Sequence, residues 1–290
     1  LFNRYLGEAW RERTDDPALW HEVMAIPDDA LWAVRQEIRQ HLFHFVRERI
    51  RTRFADEGAS PARVLAGGAM LDPQALTIGF ARRFTGYKRP DLIFRDADRL
   101  ARLVADTRRP LQLIFAGKAH PADEAGKHHL QNVFRHALDP RFEGRVAFID
   151  DYDLHVAHFL VQGCDVWLNN PRKPLEASGT SGMKAAMNGT PHLSIGDGWW
   201  AEGYDGTNGW LIDGQATSMA SDDVDAADAD ALYRLLETEI VPAFYDRDAH
   251  GISARWLGYV RRAIITAAPH VILDHPSRRE ARRAYEPAIR

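Results

Sequence analysis

A single cysteine in 290 residues rules out an internal disulfide framework. Cys164, inside the apolar run "CDVWLNN", reads as a small core residue rather than a nucleophile, and a reducing compartment is expected. The sequence has no membrane-length apolar run and no signal-peptide pattern, so a cytoplasmic protein is expected. Neither sign of charge dominates: 37 Lys and Arg stand against 41 Asp and Glu, interspersed, for a net charge of −4. That balance argues against nucleic acid or an anionic membrane as the main partner, and any phosphate-handling site must be local. No EF-hand is present, because the acidic run "SDDVDAADAD" lacks the spacing and the glycine turn; it reads as a solvated helix start. His128, His129 and His136 in "KHHLQNVFRH" have no companion carboxylate at metal spacing, so they read as surface or helix-packing residues and no metal is expected. The chain opens "LFNRYLGEAW", without methionine, and is expected to be a fragment of a longer protein.

What is present is ample material for a core, at 45% hydrophobic residues. In "DDALWAVRQEIRQHLFHFVRERIRTRF", Leu31, Val34, Ile38, Leu42, Phe45, Val46 and Ile50 recur at the three-and-four spacing of an amphipathic helix with a charged outer face. Gly and Pro in "ADEGASPARVLAGGAM" predict a loop and a boundary near residue 72. The division is therefore a helical segment, 1–72, leading into a lobe, 73–290. From residue 73 the short apolar runs "ALTIGFA", "LQLIFAGKA", "RVAFIDDY", "DVWLNN" and "HLSIG" suit buried strands. Most are separated by helical stretches, including "RPDLIFRDADRLARLVAD" and "DEAGKHHLQNVFRHAL". This alternation predicts an α/β fold with a Rossmann-like, doubly wound parallel sheet, whose ligands sit beyond the carboxyl ends of the strands. Two helices, the first bent near Pro242, are expected after residue 228.

The loops after the strands therefore matter most. "GFARRFTGYKRP" crowds Arg82, Arg83, Lys88 and Arg89 around Tyr87. Guanidinium forks and an ammonium suit phosphate oxygens, and a solvated basic loop is the alternative. The stretch "EASGTSGMKAAMNGT" adds backbone amides and hydroxyls at a predicted helix start, capped by Ser178 or Thr180. It is not a Walker loop, because Ala185 follows Lys184 where Ser or Thr is required. A lysine near the positive end of that helix and against an apolar wall should have a lowered pKa, which prepares Lys184 for Schiff-base chemistry. A phosphate-bearing aldehyde would satisfy both halves of the site, a description that fits pyridoxal phosphate.

"EASGTSGMKAAMNG" and "FARRFTGYKR" resemble the α-glucan (glycogen, starch and maltodextrin) phosphorylases, in particular their shorter bacterial and archaeal forms. The resemblance continues through "DDPALW", "IPDDALWAVRQE", "FAGKAHPAD", "WLNNPRKPLEASGTSGMK", "DGWWAEGYDGTNGW" and "VPAFYDRD", and weakens after about residue 267. It implies the C-terminal lobe of a GT-B glycosyltransferase architecture, with the N-terminal lobe absent. Lys184 matches the lysine that forms the Schiff base with pyridoxal 5'-phosphate. Arg82, Arg83 and Lys88 match basic residues around the cofactor and substrate phosphates, with Arg82 standing where the animal enzymes have a lysine. Thr180 and Ser181 match positions beside the cofactor phosphate, although Ser181 and Gly182 replace the Gly-Asn of the animal sequences. Glu176, Ala177, Ser178 and Gly179 match the segment holding the transferred glucose, and Tyr152 matches a tyrosine near the cofactor.

The resemblance further implies reversible phosphorolysis of an α-1,4-glucan by inorganic phosphate, giving α-D-glucose 1-phosphate with retention, and allows a homo-oligomer for the longer protein. Trp199 and Trp200 are open to sugar stacking or to packing, and Lys118 stands at a strand's ligand end where it could support the site. Two rivals remain open. A sugar-nucleotide-dependent GT-B glycosyltransferase lacks a reason for Lys184, and a non-catalytic glucan-binding or regulatory fragment is compatible with the short chain.

Overall fold

The computed structural model describes residues 1–273 except Asp15 and Glu143, so the last part of the 73–290 lobe lies outside the described residues. Short helices α1 (Phe2–Tyr5) and α2 (Pro17–His21) precede the long α3 (Asp28–Asp56). The expected loop after it contains a helix, α4 (Pro61–Gly68). Ser60 caps it by accepting from the Arg63 amide, and Pro61 occupies the first turn, where its missing N–H is harmless. The proline that predicts a loop stands at a helix start.

The lobe then alternates as expected: β1 (Leu76–Ala81), α5 (Ala97–Val104), β2 (Leu111–Ala116), α6 (Glu124–Ala137), β3 (Val146–Ile149), α7 (Leu154–Gly163), β4 (Val166–Asn169), α8 (Thr180–Met187), β5 (His192–Ile195) and α9 (Trp200–Gly203). A sixth strand, β6 (Gly209–Ile212), does not figure among the expected ones. All neighbouring strands pair in parallel, in the order β3-β2-β1-β4-β5-β6. Every residue of β1 and β2 is buried, which is why those strands read as continuous apolar runs rather than alternating ones. Asp96, Asp123 and Asp153 cap α5, α6 and α7 through their carboxylates. The described residues finish with α10 (Ser221–Leu235), a π-helical turn at Leu236–Ile240, α11 (Val241–Tyr245) and α12 (Ala254–Leu273). The π-helical turn ends just ahead of Pro242, the residue near which the sequence predicts a bend. No described helix is long and apolar enough to cross a membrane.

The charged face of α3 is not all outside. Leu31, Arg35, Arg39, Leu42 and Val46 form its buried stripe, whereas Val34 and Ile38 are only half-buried. Arg35 donates to the carbonyls of Gln162, Cys164 and Asn188, and Arg39 reaches Asp165 at 3.3 Å and the Ala75 carbonyl at 2.8 Å. These contacts tie α3 to the C-terminal end of α7 and to the lead of β4. Cys164 lies there fully buried, and burial pushes its thiol far up, in keeping with a core role.

At the α3–α7 crossing, a Cβ on Gly163 would stand 2.4 Å from Leu42 Cβ. Gly163→Ala must therefore push α3 outward, and the expected cost is about 1 to 3 kcal/mol. Urea unfolding of the variant measures it; an unchanged midpoint would show that the crossing yields freely.

Candidate active site

The strand order reverses between β1 and β4, so the crevice beyond their carboxyl ends is the topological switch point. Arg82 follows β1 directly into it and is buried. Gly117, after β2, lets the Arg82 backbone run close by, because a Cβ there would lie 2.1 Å from the Arg82 carbonyl oxygen. Asn169, the last residue of β4, accepts a hydrogen bond from Arg82 Nη1, and its own amide donates to Ser194 Oγ on β5 at 3.1 Å. Arg82 Nη2 meets Glu176 Oε2 at 2.9 Å, and Lys88 Nζ bonds to the same oxygen. Lys88 also lies 4.5 Å from the centre of the Tyr87 ring. Two buried cations thus converge on one buried carboxylate oxygen. Burial lowers the Arg82 pKa, and the Glu176 carboxylate opposes that shift.

Glu176 is anchored through its backbone, whose N–H donates to Asp197 Oδ2 at 2.8 Å. Its neighbours lead into α8. Gly179 caps the helix with φ +80°, a left-handed conformation that suits glycine. The cap is therefore neither Ser178 nor Thr180, and no side chain caps the first turn. A Cβ at Gly179 would stand 3.6 Å from Asn169 Nδ2 and 3.7 Å from Glu176 Cγ, so the start of α8 adjoins the cation cluster. Ser181 Oγ accepts from Trp167 Nε1 at 3.3 Å, the Ser178 carbonyl accepts from the Trp199 amide, and Ala177 and Thr180 are exposed.

Lys184 corrects the sequence argument. It stands in the last turn of α8, away from the positive end of the dipole, and it is exposed rather than set against an apolar wall. The helix starts at Thr180, close to where it was expected, but it is only eight residues long, so Lys184, its fifth residue, already falls in the last turn. Its amine is accessible.

The basic loop divides. Arg82 and Lys88 point inward, Arg83 is exposed, and Arg89 leaves the cluster altogether. In a left-handed conformation at φ +45°, Arg89 pairs with Asp225 and Asp228 of α10 at 2.7 and 2.8 Å and donates to the carbonyls of Asn170 and Pro171. The acidic run read as solvated is thus the counter-charge of a buried arginine, and Asp225 also holds Arg172. Tyr152 is half-buried and within electrostatic range: burial pushes its phenol up while the Arg82 charge pulls it back. Lys118 is exposed, with Nζ 3.8 Å from Asp151 Oδ1. Trp199 and Trp200 are buried and pack around His192, which excludes them as a sugar platform. His129 does have a carboxylate partner, Asp91, at 2.9 Å, and that hydrogen bond raises its pKa.

Asn169, Ser194 and Asp197 were not singled out from sequence, although the "NNPRKP" and "GDG" stretches after β4 and β5 mark the strand ends that carry or adjoin them. An apolar pocket of about 210 Å³ between α3, α6 and β3 shares no residue with this cluster.

Residues 36–204 match the family model for carbohydrate phosphorylases. The chain belongs to the carbohydrate phosphorylase family. It is 49% identical over 270 residues to a glycogen phosphorylase of Aquifex aeolicus, covering 93% of this chain and 39% of that protein. A glycogen phosphorylase of Mycobacterium tuberculosis is 45% identical over 276 residues, or 94% of this chain and 32% of that protein. A maltodextrin phosphorylase of Thermococcus litoralis is 41% identical over 269 residues, or 93% of this chain and 31% of that protein. The chain thus spans about a third of the length of these curated relatives. The matched region of the family holds both the basic loop and α8.

Proposed function

We propose that this chain is the cofactor-bearing lobe of an α-1,4-glucan phosphorylase of GT-B architecture, a cytoplasmic enzyme that exchanges the terminal glucose of a glucan with inorganic phosphate. The observation that carries this reading is the convergence of Arg82 and Lys88 on one carboxylate beside a glycine-started helix that bears an accessible lysine. Pyridoxal 5'-phosphate suits these residues: two buried cations share one carboxylate oxygen, the first turn of α8 has no side-chain cap, and Lys184 offers an open amine. When bound, the cofactor supplies a phosphate able to exchange a proton with inorganic phosphate.

The chain's own residues have distinct tasks in this reading. Lys184 anchors the cofactor, while Thr180 and Ser181 flank its phosphate at the helix start. Arg82 and Lys88 hold phosphate oxygens by charge-assisted hydrogen bonds, and exposed Arg83 meets the incoming phosphate from the solvent side. Fixed cations at this point stabilise the negative charge gathered beside a sugar cation, and they need no reorganisation during the reaction. Glu176 to Gly179 receive the glucose, and Tyr152 flanks the cofactor. The reading requires Lys184 to be the labelled residue when the cofactor-loaded protein is reduced with borohydride and its peptides are mapped. Label at another lysine, or no label in a folded protein incubated with pyridoxal phosphate, rejects it and favours a sugar-nucleotide glycosyltransferase or a binding fragment.

A further inference from the structure

We propose that Glu176 is the selectivity filter of the anion site, a tethered carboxylate that fills the Arg82–Lys88 pair and yields to a doubly charged oxyanion but not to a singly charged one. The inference rests on reading that pair as a phosphate site, and it gives Glu176 a task before any sugar arrives.

Three observations carry it. Both cations spend their contact on a single oxygen, Glu176 Oε2, so the carboxylate stands where an entering anion would have to bind. All three side chains are buried, so the competition takes place where charge interactions are strong and little screened. The backbone of Glu176 is pinned to Asp197, and Arg82 is held from its other side by Asn169, so the carboxylate can leave by side-chain rotation while the loop and the guanidinium stay in place.

Tethering decides which anions succeed. A carboxylate attached to the site competes at an effective concentration of about millimolar or more without any binding step of its own. A free monoanion such as formate offers the same charge without that advantage and fails to displace it. A phosphate dianion brings twice the charge and more acceptor oxygens, so each cation gains a separate charge-assisted hydrogen bond. The displaced carboxylate is then free to accept hydroxyl groups, which links anion loading to the sugar-holding task proposed for the same residue.

The test uses the 290-residue chain without cofactor, titrated with inorganic phosphate or formate at constant ionic strength and followed by calorimetry and thermal shift. Wild type is expected to bind phosphate and not formate. Glu176→Gln keeps the shape and removes the charge; it should bind phosphate about tenfold tighter or better and acquire formate binding. Glu176→Asp, with its carboxylate drawn back, should fall between the two and keeps the test usable if Glu176→Gln fails to fold. Equal phosphate affinity in wild type and a folded variant, or unchanged selectivity against formate, overturns the filter. If Lys184 is still labelled when the cofactor-loaded protein is reduced with borohydride in that case, the phosphorylase reading stands without it. Phosphate binding by neither form overturns the filter and the phosphate reading of the pair together.

Discussion

Asp165→Ala is expected to destabilise the fold by about 3 to 5 kcal/mol, the usual cost of removing one partner of a buried ion pair. Asp165 and Arg39 are 2% and 1% exposed, and they meet at 3.3 Å under the sheet. The carboxylate also accepts the Thr77 amide of β1 at 2.9 Å. Without it, Arg39 keeps the Ala75 carbonyl and the face of Phe244, while its Nε and Nη1 already have no hydrogen-bond partner among the described residues. The Thr77 N–H would be left without this acceptor inside the core. Urea unfolding measures the loss, and a double-mutant cycle with Arg39→Met isolates the pair, since removing the stranded cation should restore part of the stability. A loss below about 1 kcal/mol, the range of an exposed pair, would mean that water reaches Arg39 readily. The effect would reach the site as well, because Asp165 immediately precedes β4, the strand that presents Asn169 to Arg82.

That ion pair also illustrates what sequence could not give directly. The strands were legible because burial on both faces makes a parallel strand a plain apolar run. Arg35 and Arg39 were assigned to a charged outer face because arginine is rarely buried without partners, and their partners are mostly carbonyls, which carry no signature in sequence. Their spacing with Leu31, Leu42 and Val46 nevertheless marks one helix stripe, a signal that was available. The basic loop was legible as a cluster but not in its directions. The left-handed turn at Arg89 sends that side chain to α10 and Lys88 to Glu176, and arginine gives no advance notice of such a backbone. Lys184 failed for a different reason: the helix start was placed to within one residue, but α8 has only eight residues, so its fifth already lies in the last turn and outside the reach of the positive end. β6 was missed although "GWLI" lies between turn signals, Asn208-Gly209 at its start and Asp213-Gly214 after it, that could have bounded it.

The 290-residue chain by itself is expected to show no measurable phosphorolysis, even when supplied with pyridoxal phosphate. The residues proposed to act form one wall. Arg83, Ala177, Thr180 and Lys184 are exposed, and only Arg82, Lys88, Glu176 and Gly179 are buried. The 290 residues span 31 to 39% of the length of these relatives. A sugar cation developing over an open wall meets water instead of phosphate, and phosphates facing solvent are screened from each other. Holding glucan and phosphate in reactive geometry is worth about 7 to 11 kcal/mol, and a single wall supplies little of it. At about 1.36 kcal/mol per factor of ten, even the lower figure corresponds to a loss of roughly 10⁵-fold. The assay follows α-glucose 1-phosphate formed from maltoheptaose and phosphate, with the Mycobacterium tuberculosis glycogen phosphorylase run alongside. Phosphate binding by the same preparation, measured by calorimetry, separates an intact but incomplete site from an unfolded one. Turnover within about tenfold of the long enzyme, a gap of about 1.4 kcal/mol, would mean that this lobe alone orients the sugar and excludes water, which its exposed lysine and arginine argue against.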